Sequence, residues 1–118
     1  MMIAIFNRQG KTVAWLQDNA IVDRANQCRA FIHEARVMSY RGTYLGELAD
    51  EFFWDRSGYA VAFIQGARRG PATPITEIPP IPPIPPIPPI PPIPPIPPIP
   101  PQHLPRWSAM GFDEFLSQ

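Results

Sequence analysis

Phe53-Trp54-Asp55-Arg56-Ser57-Gly58-Tyr59-Ala60-Val61-Ala62-Phe63-Ile64 decides the fold, because the same pattern stands three more times upstream at a spacing of sixteen residues. Ile5, Ile21, Val37 and Phe53 open the units, and Leu16, Ile32, Leu48 and Ile64 close their apolar runs. Asn7, Asp23, Ser39 and Asp55 share one column, Gly10, Asn26, Gly42 and Gly58 a second, and Ala14, Ala30, Gly46 and Ala62 a third. Self-similarity at a fixed period means one supersecondary unit repeated, each copy burying its neighbour's apolar face.

Each unit reads as strand, turn, strand. Asn, Asp or Ser at the first turn position and Gly at the fourth is the preference of a type I turn, where the short polar side chain accepts backbone bonds. A left-handed residue after such a turn makes a hairpin with a one-residue bulge. Asn26 is the non-glycine of that column, and Asn tolerates the left-handed region best.

Side chains alternate faces along a strand. The face carrying Ala14 and Leu16 is apolar in every unit and is expected inside. The face carrying Val13 and Trp15 admits Arg29 and Glu47 at equivalent places, so it is expected to reach water. Trp15, Phe31 and Phe63 would then form an outer aromatic surface, suited to a packing element, a base or a lipid headgroup. Eight short strands can close and remove their edges. The expectation is an all-β fold: four β-hairpins over residues 1–69 closed into a shallow, pseudo-fourfold, eight-stranded barrel. An open meander or a two-sheet sandwich is the alternative.

Nineteen prolines among 118 residues, most between Pro71 and Pro105, confine the foldable part to about the first seventy residues. A core that small is marginal unless closure, a docked tail or oligomerisation adds to it. Formal net charge is zero; residues 1–70 hold nine basic and seven acidic side chains, spread over the repeats. Nothing there forms the clustered basic face that a nucleic acid needs. Cys28 is the single cysteine, which excludes an intrachain disulfide.

His33 falls in a turn between units and His103 lies far downstream; with Cys28 they make no metal-ligand spacing. No serine sits in a nucleophile elbow and no Gly-rich phosphate loop is present. The expectation is a protein that is not an enzyme, with no catalytic residue, cofactor or metal. No signal peptide or membrane-spanning helix is read, so a cytoplasmic location is expected.

After a linker at residues 70–77, the triplet Ile-Pro-Pro recurs eight times over residues 78–101. Proline fixes φ and removes a donor, and it pushes the residue before it to extended geometry. The prediction is a polyproline II rod with three residues per turn. Ile78, Ile81, Ile84, Ile87, Ile90, Ile93, Ile96 and Ile99 would then form one apolar edge. Twenty-four residues reach ~74 Å, whereas a domain of about 70 residues is ~30 Å across, so a straight rod would outspan its own domain. An uncovered edge of this kind is an interaction surface. Three readings compete: self-assembly into a homo-oligomer or filament, display to a reader of proline-rich motifs, and a plain spacer. The segment has no basic residue and no tyrosine, which disfavours readers of the SH3 and WW types.

Residues 102–118 hold a hinge, Gln102-His103-Leu104, and a short amphipathic segment. Trp107 and Met110 are three apart, and Phe112, Phe115 and Leu116 fall at helical spacing, with Ser108 as a candidate N-cap. A free helix this short needs a docking surface. The rod's reach points to a neighbouring chain as that surface, so these five apolar residues join the isoleucines as expected partner-binding residues.

The units of the type Asp-Arg-x-Gly … Val-Ala-Phe-Ile, Gly70-Pro71 with Pro74, and the ending Trp107-Ser108 … Phe112-Asp113-Glu114-Phe115-Leu116 resemble the four-fold β-flower family, a bacterial group of unknown activity. The resemblance covers nearly the whole chain. It implies a shallow four-petalled barrel whose shape is similar to the Tubby C-terminal and scramblase-like folds, and through them a lipid- or membrane-associated module as the second functional expectation.

Overall fold

The computed structural model describes residues 2–82, 84–92, 99 and 101–118. Eight strands alternate with tight turns: β1 (Met2–Phe6), β2 (Thr12–Gln17), β3 (Ala20–Asp23), β4 (Cys28–His33), β5 (Arg36–Ser39), β6 (Tyr44–Ala49), β7 (Phe52–Asp55) and β8 (Ala60–Phe63). All neighbours are antiparallel and the sheet closes as a barrel in strict chain order. The open meander and the sandwich are thereby excluded. One short helix, α1 (Phe112–Leu116), follows.

The four hairpin turns use the chemistry their columns predict. Asn7 Oδ1 accepts from the Gln9 and Lys11 N–H groups, Asp23 Oδ1 from Ala25 and Gln27, Ser39 Oγ from Arg41 and Thr43, and Asp55 Oδ1 from Ser57 and Tyr59. Gly10, Asn26, Gly42 and Gly58 have φ of 80°, 62°, 86° and 89°, the left-handed region the bulge needs. The turns between hairpins also use positive φ, at Asp18, Glu34, Ala35, Asp50 and Glu51, with no glycine to announce them.

Each hairpin slips register once. Ile5 pairs with Ala14 and Phe6 with Thr12, leaving Val13 unpaired; Arg29, Leu45 and Val61 are skipped in the same way. A bulge breaks the two-residue alternation and re-aims the extra side chain. Leu45 and Val61 therefore join Ala14, Leu16 and their equivalents in the barrel interior, and Val13 packs against that cluster. The Ala14/Leu16 face is inside as expected.

The other face is not open to water. Trp15, Phe31 and Phe63 are only 3–5 % exposed. Arg24 lies over the Trp15 ring, Tyr40 packs on Phe31 at 5.3 Å, and Phe63 belongs to a second apolar cluster with Phe6, Phe52, Trp54 and Ala60. Arg29 and Glu47 marked that face as solvated in the sequence, but Asp113, His103 and Trp107 from the C-terminal third of the chain reach Arg29, Glu47 and Phe63 on it.

The greatest extents are 36 × 35 × 21 Å, a disc, so the ~74 Å reach of the triplet segment is not laid out straight. The chain instead curves against the outside of its own barrel. The expected docking of the C-terminal segment on a neighbouring chain is also replaced. Phe112, Phe115 and Leu116 are 4 %, 0 % and 5 % exposed inside the same cluster as Ile5, Ile21 and Phe53, with Met110 packed on it. Curvature brings the segment home where a straight rod could not.

Candidate functional site

The tail is fixed at a series of points around the barrel. At the first hairpin the Glu77 N–H donates to Gly10 O (2.9 Å), and the Thr12 N–H donates to the Glu77 carboxylate (3.0 Å). That bond holds the exposed Glu77 carboxyl below its ordinary value. At the second, Asn26 Nδ2 donates to Ile84 O at 3.2 Å. At the fourth, the Leu104 N–H donates to Gly58 O at 2.9 Å, the bond Glu77 makes to Gly10 forty-eight residues upstream. A Cβ on Gly10 would stand 2.2 Å from Ile75 O, and one on Gly58 2.2 Å from Gln102 O. These two glycines thus serve the turn and also admit the tail's backbone.

The expected hinge is held. His103 stacks on Trp54 with ring centroids 4.2 Å apart, and its Nε2 meets the Glu47 carboxylate. Ser108 is not an N-cap; Gly111 takes that position without a side-chain bond. Ser108 Oγ instead donates to Asp55 Oδ2 at 2.7 Å in a buried setting. Trp107 forms a parallel bridge with Ala60, whose N–H donates to Arg106 O while Ser108 N–H donates to Ala60 O. This fills the barrel seam, where β1 and β8 share the single pair Phe6–Phe63 against four pairs between β2 and β3.

α1 plugs one mouth of the barrel. Phe112 packs edge-on against Phe53 at 5.6 Å. Gly46 stands where the other hairpins have Ala, and a Cβ there would meet Trp54 O at 1.9 Å and Phe115 Cε1 at 2.9 Å. Arg29 Nη1 donates to Asp113 Oδ1 (2.8 Å) and Asp23 Oδ2 (3.1 Å), and Nη2 to Ser117 Oγ (2.7 Å). Arg29, Gly46 and Glu47, the exceptions in otherwise apolar or alanine columns, are therefore the plug's and tail's footprint.

The isoleucines face the other way. Ile78, Ile81, Ile84, Ile87, Ile90 and Ile99 are 87–95 % exposed, while Pro80, Pro86, Pro92 and Pro101 are half-buried. Ile93 and Ile96 lie outside the described residues. Six of the eight isoleucines expected to form an edge are thus exposed, whereas Trp107, Met110, Phe112, Phe115 and Leu116 pack within this chain. A cavity of about 370 Å³ between the tail and the barrel is bounded by Phe31, Tyr40, His33, Pro88 and Pro92 among others.

Chemistry is sparse. Burial raises the Tyr40 phenol to about 12 and pushes the Cys28 thiol up, with Asp23 adding to it, so both stay protonated at neutral pH. Among the described residues no group of three His, Cys, Asp or Glu side chains could hold a metal ion, and no helix is long and apolar enough to cross a membrane.

A closed barrel of bulged hairpins, plugged by the chain's own C-terminal helix, defines the class. Residues 3–116 match the 4-fold beta flower protein family, and the chain belongs to it. The match spans the barrel, the tail and the plug. No curated protein and no solved structure matches the chain.

Proposed function

We propose that this protein is a non-catalytic assembly module that associates with further copies of itself through the isoleucine edge of its tail. In this reading four copies of one sixteen-residue unit make a fourfold flower, and the triplet segment is a polyproline II belt around it. The equal bonding of Glu77 to Gly10 and Leu104 to Gly58 supports the first. Half-buried prolines alternating with exposed isoleucines support the second, since three residues per turn put every third side chain on one line.

The observation that carries the assembly reading is the 87–95 % exposure of six triplet isoleucines. Full burial is worth ~1.5–3 kcal/mol for each such side chain, and the barrel takes none of it. Rows of isoleucine spaced ~9.3 Å apart on two copies can interdigitate, while the neutral triplet segment sets up no charge repulsion between them. Lipid association rested on the fold resemblance and on the aromatic surface of Trp15, Phe31 and Phe63; that surface is buried in this chain's own fold, which favours self-association. A cytoplasmic location remains part of the proposal.

The test is light scattering over a concentration range on the full chain and on a variant with Ile78, Ile81, Ile84, Ile87, Ile90 and Ile99 all changed to Ser. The expected result is a multimer for the first and a monomer for the second. Equal masses overturn the reading.

A further inference from the structure

The tail leaves a gap where it runs beside β4 and the turn of the third hairpin. Phe31, Ile32 and Tyr40 on the barrel and Pro88 and Pro92 on the tail bound an open cavity of about 370 Å³ there. That size falls within the ~300–1,000 Å³ of sites that bury a guest. Phe31 and Ala20 are buried at its walls, whereas Asp18, Asn19 and His33 are exposed. An apolar centre with a polar rim is the anatomy of an interface pocket.

None of the described isoleucines of the tail is among the walls. Ile87 and Ile90 adjoin the prolines that are, and they stand 95 % and 93 % exposed. Proline before and after each isoleucine restricts its backbone, so these side chains do not turn inward to the hollow of their own chain. The chain thus carries two large exposed apolar side chains directly beside an apolar hollow they do not enter. A surface with its knob next to its own hole is self-complementary, and a twofold rotation lets each of two copies serve the other.

We propose that Ile87 and Ile90 of one copy seat in the Phe31–Tyr40 cavity of a second copy, and the reverse, giving a closed dimer, a reading that rests on the self-association put forward above and names where the isoleucine edge lands. Closure follows from adjacency. Each contact uses the knob and the hole of both copies and leaves neither for a third, so a dimer forms rather than a filament. The triplets are neutral and bring no charge to the exposed Asp18. Ile75 and Ile78 are as exposed as Ile87 and Ile90, but they lie beside the first hairpin, where Glu77 bonds Gly10, and not at the cavity. They contribute little to this contact.

The test is light scattering over a concentration range on the parent chain and three variants, each changed only at exposed positions, with thermal melting to check the fold. The parent is expected to be a dimer. Ile87→Ser/Ile90→Ser is expected to weaken it by about tenfold or more for each isoleucine. Ile75→Ser/Ile78→Ser removes the same apolar groups from the other end and is expected to leave the dissociation constant nearly unchanged. His33→Glu sets a carboxylate at the cavity, and desolvating it as isoleucine enters is expected to weaken the dimer about tenfold or more. Equal weakening by the two isoleucine pairs, or none from His33→Glu, overturns the cavity as the landing site while self-association itself stands. A parent larger than a dimer contradicts closure, and a parent that is monomeric at every concentration overturns self-association and the cavity together. Cross-linking gives a second readout. In a Cys28→Ser background, chains carrying Ile90→Cys are mixed with chains carrying His33→Cys and joined with a short bis-maleimide. The mixed pair is the expected product; pairs of Ile90→Cys chains alone mean edge against edge and overturn the proposal.

Discussion

Arg29 Nη1 lies 2.8 Å from Asp113 Oδ1, joining the bulge of the second hairpin to the helix that closes the barrel. Val13, Leu45 and Val61 occupy the same place in the other hairpins and present apolar surface to the interior. The one cation among them pairs with Asp23 and Asp113 and bonds Ser117. Arg29→Ala removes all three partners. The pair is partly solvated, with Asp113 86 % exposed, so the expected loss is modest, ~1 kcal/mol, read as a lowered melting temperature. Asp113→Ala should cost less, because Asp23 still holds Arg29.

Gly46→Ala is the more damaging change although it restores the alanine of the other three hairpins. Its Cβ would meet the Trp54 carbonyl and the Phe115 ring. Overpacking of this kind costs ~1–3 kcal/mol or more. Phe115→Leu in the same chain should not restore stability, since the closer clash is with backbone. Denaturant unfolding of the single and double variants checks both statements.

The turn glycines provide an internal control. Gly10, Gly42 and Gly58 all have positive φ, and Ala at any of them is strained by ~1 kcal/mol. A Cβ at Gly42 meets nothing within 4 Å, whereas at Gly10 and Gly58 it strikes the tail. Gly58→Ala and Gly10→Ala are therefore expected to lower the melting temperature more than Gly42→Ala, and to speed amide exchange at Leu104 and Glu77 respectively.

Glu77 sets a pH dependence. The Thr12 N–H lowers its carboxyl below the usual value of about 4.3. A depressed carboxyl contributes attachment that is fully present above its unfolded pKa and is lost as pH falls through the lower folded value. Exchange at the Thr12 amide should therefore be slow at neutral pH and gain an extra acceleration on acidification below the ordinary glutamate range. Glu77→Gln should remove that pH step.

Much of the barrel was legible because its determinants are local. The turn columns, the left-handed fourth position and the Ala14/Leu16 face each follow from residues within one unit. The turn strain at Glu34–Ala35 and Asp50–Glu51 was not legible, since no glycine marks it. The bulges were readable from the turns, but what they do to Val13, Arg29, Leu45 and Val61 was not, because strict alternation sends those side chains outward. Arg29 and Glu47 stood out as column exceptions and were read as signs of water. Their partners Asp113 and His103 lie 84 and 56 residues away, and only the curved path of the tail brings them close. Period three marked the isoleucine edge, yet a straight-rod length argument sent the plug to a neighbour.

The C-terminal segment completes the barrel core on its inner side, while the isoleucines of the tail stay exposed on its outer side. The most direct measurement is the thermal melt of a chain ending at Leu104, followed by near-ultraviolet circular dichroism. That chain keeps all eight strands but loses Trp107 at the seam and Phe112, Phe115 and Leu116 from the core. Deleting single buried side chains of this size costs ~3–5 kcal/mol, against total stabilities of ~5–15 kcal/mol. The prediction is loss of the cooperative transition and of the aromatic signal. A sharp transition within a few degrees of the full chain would contradict the account.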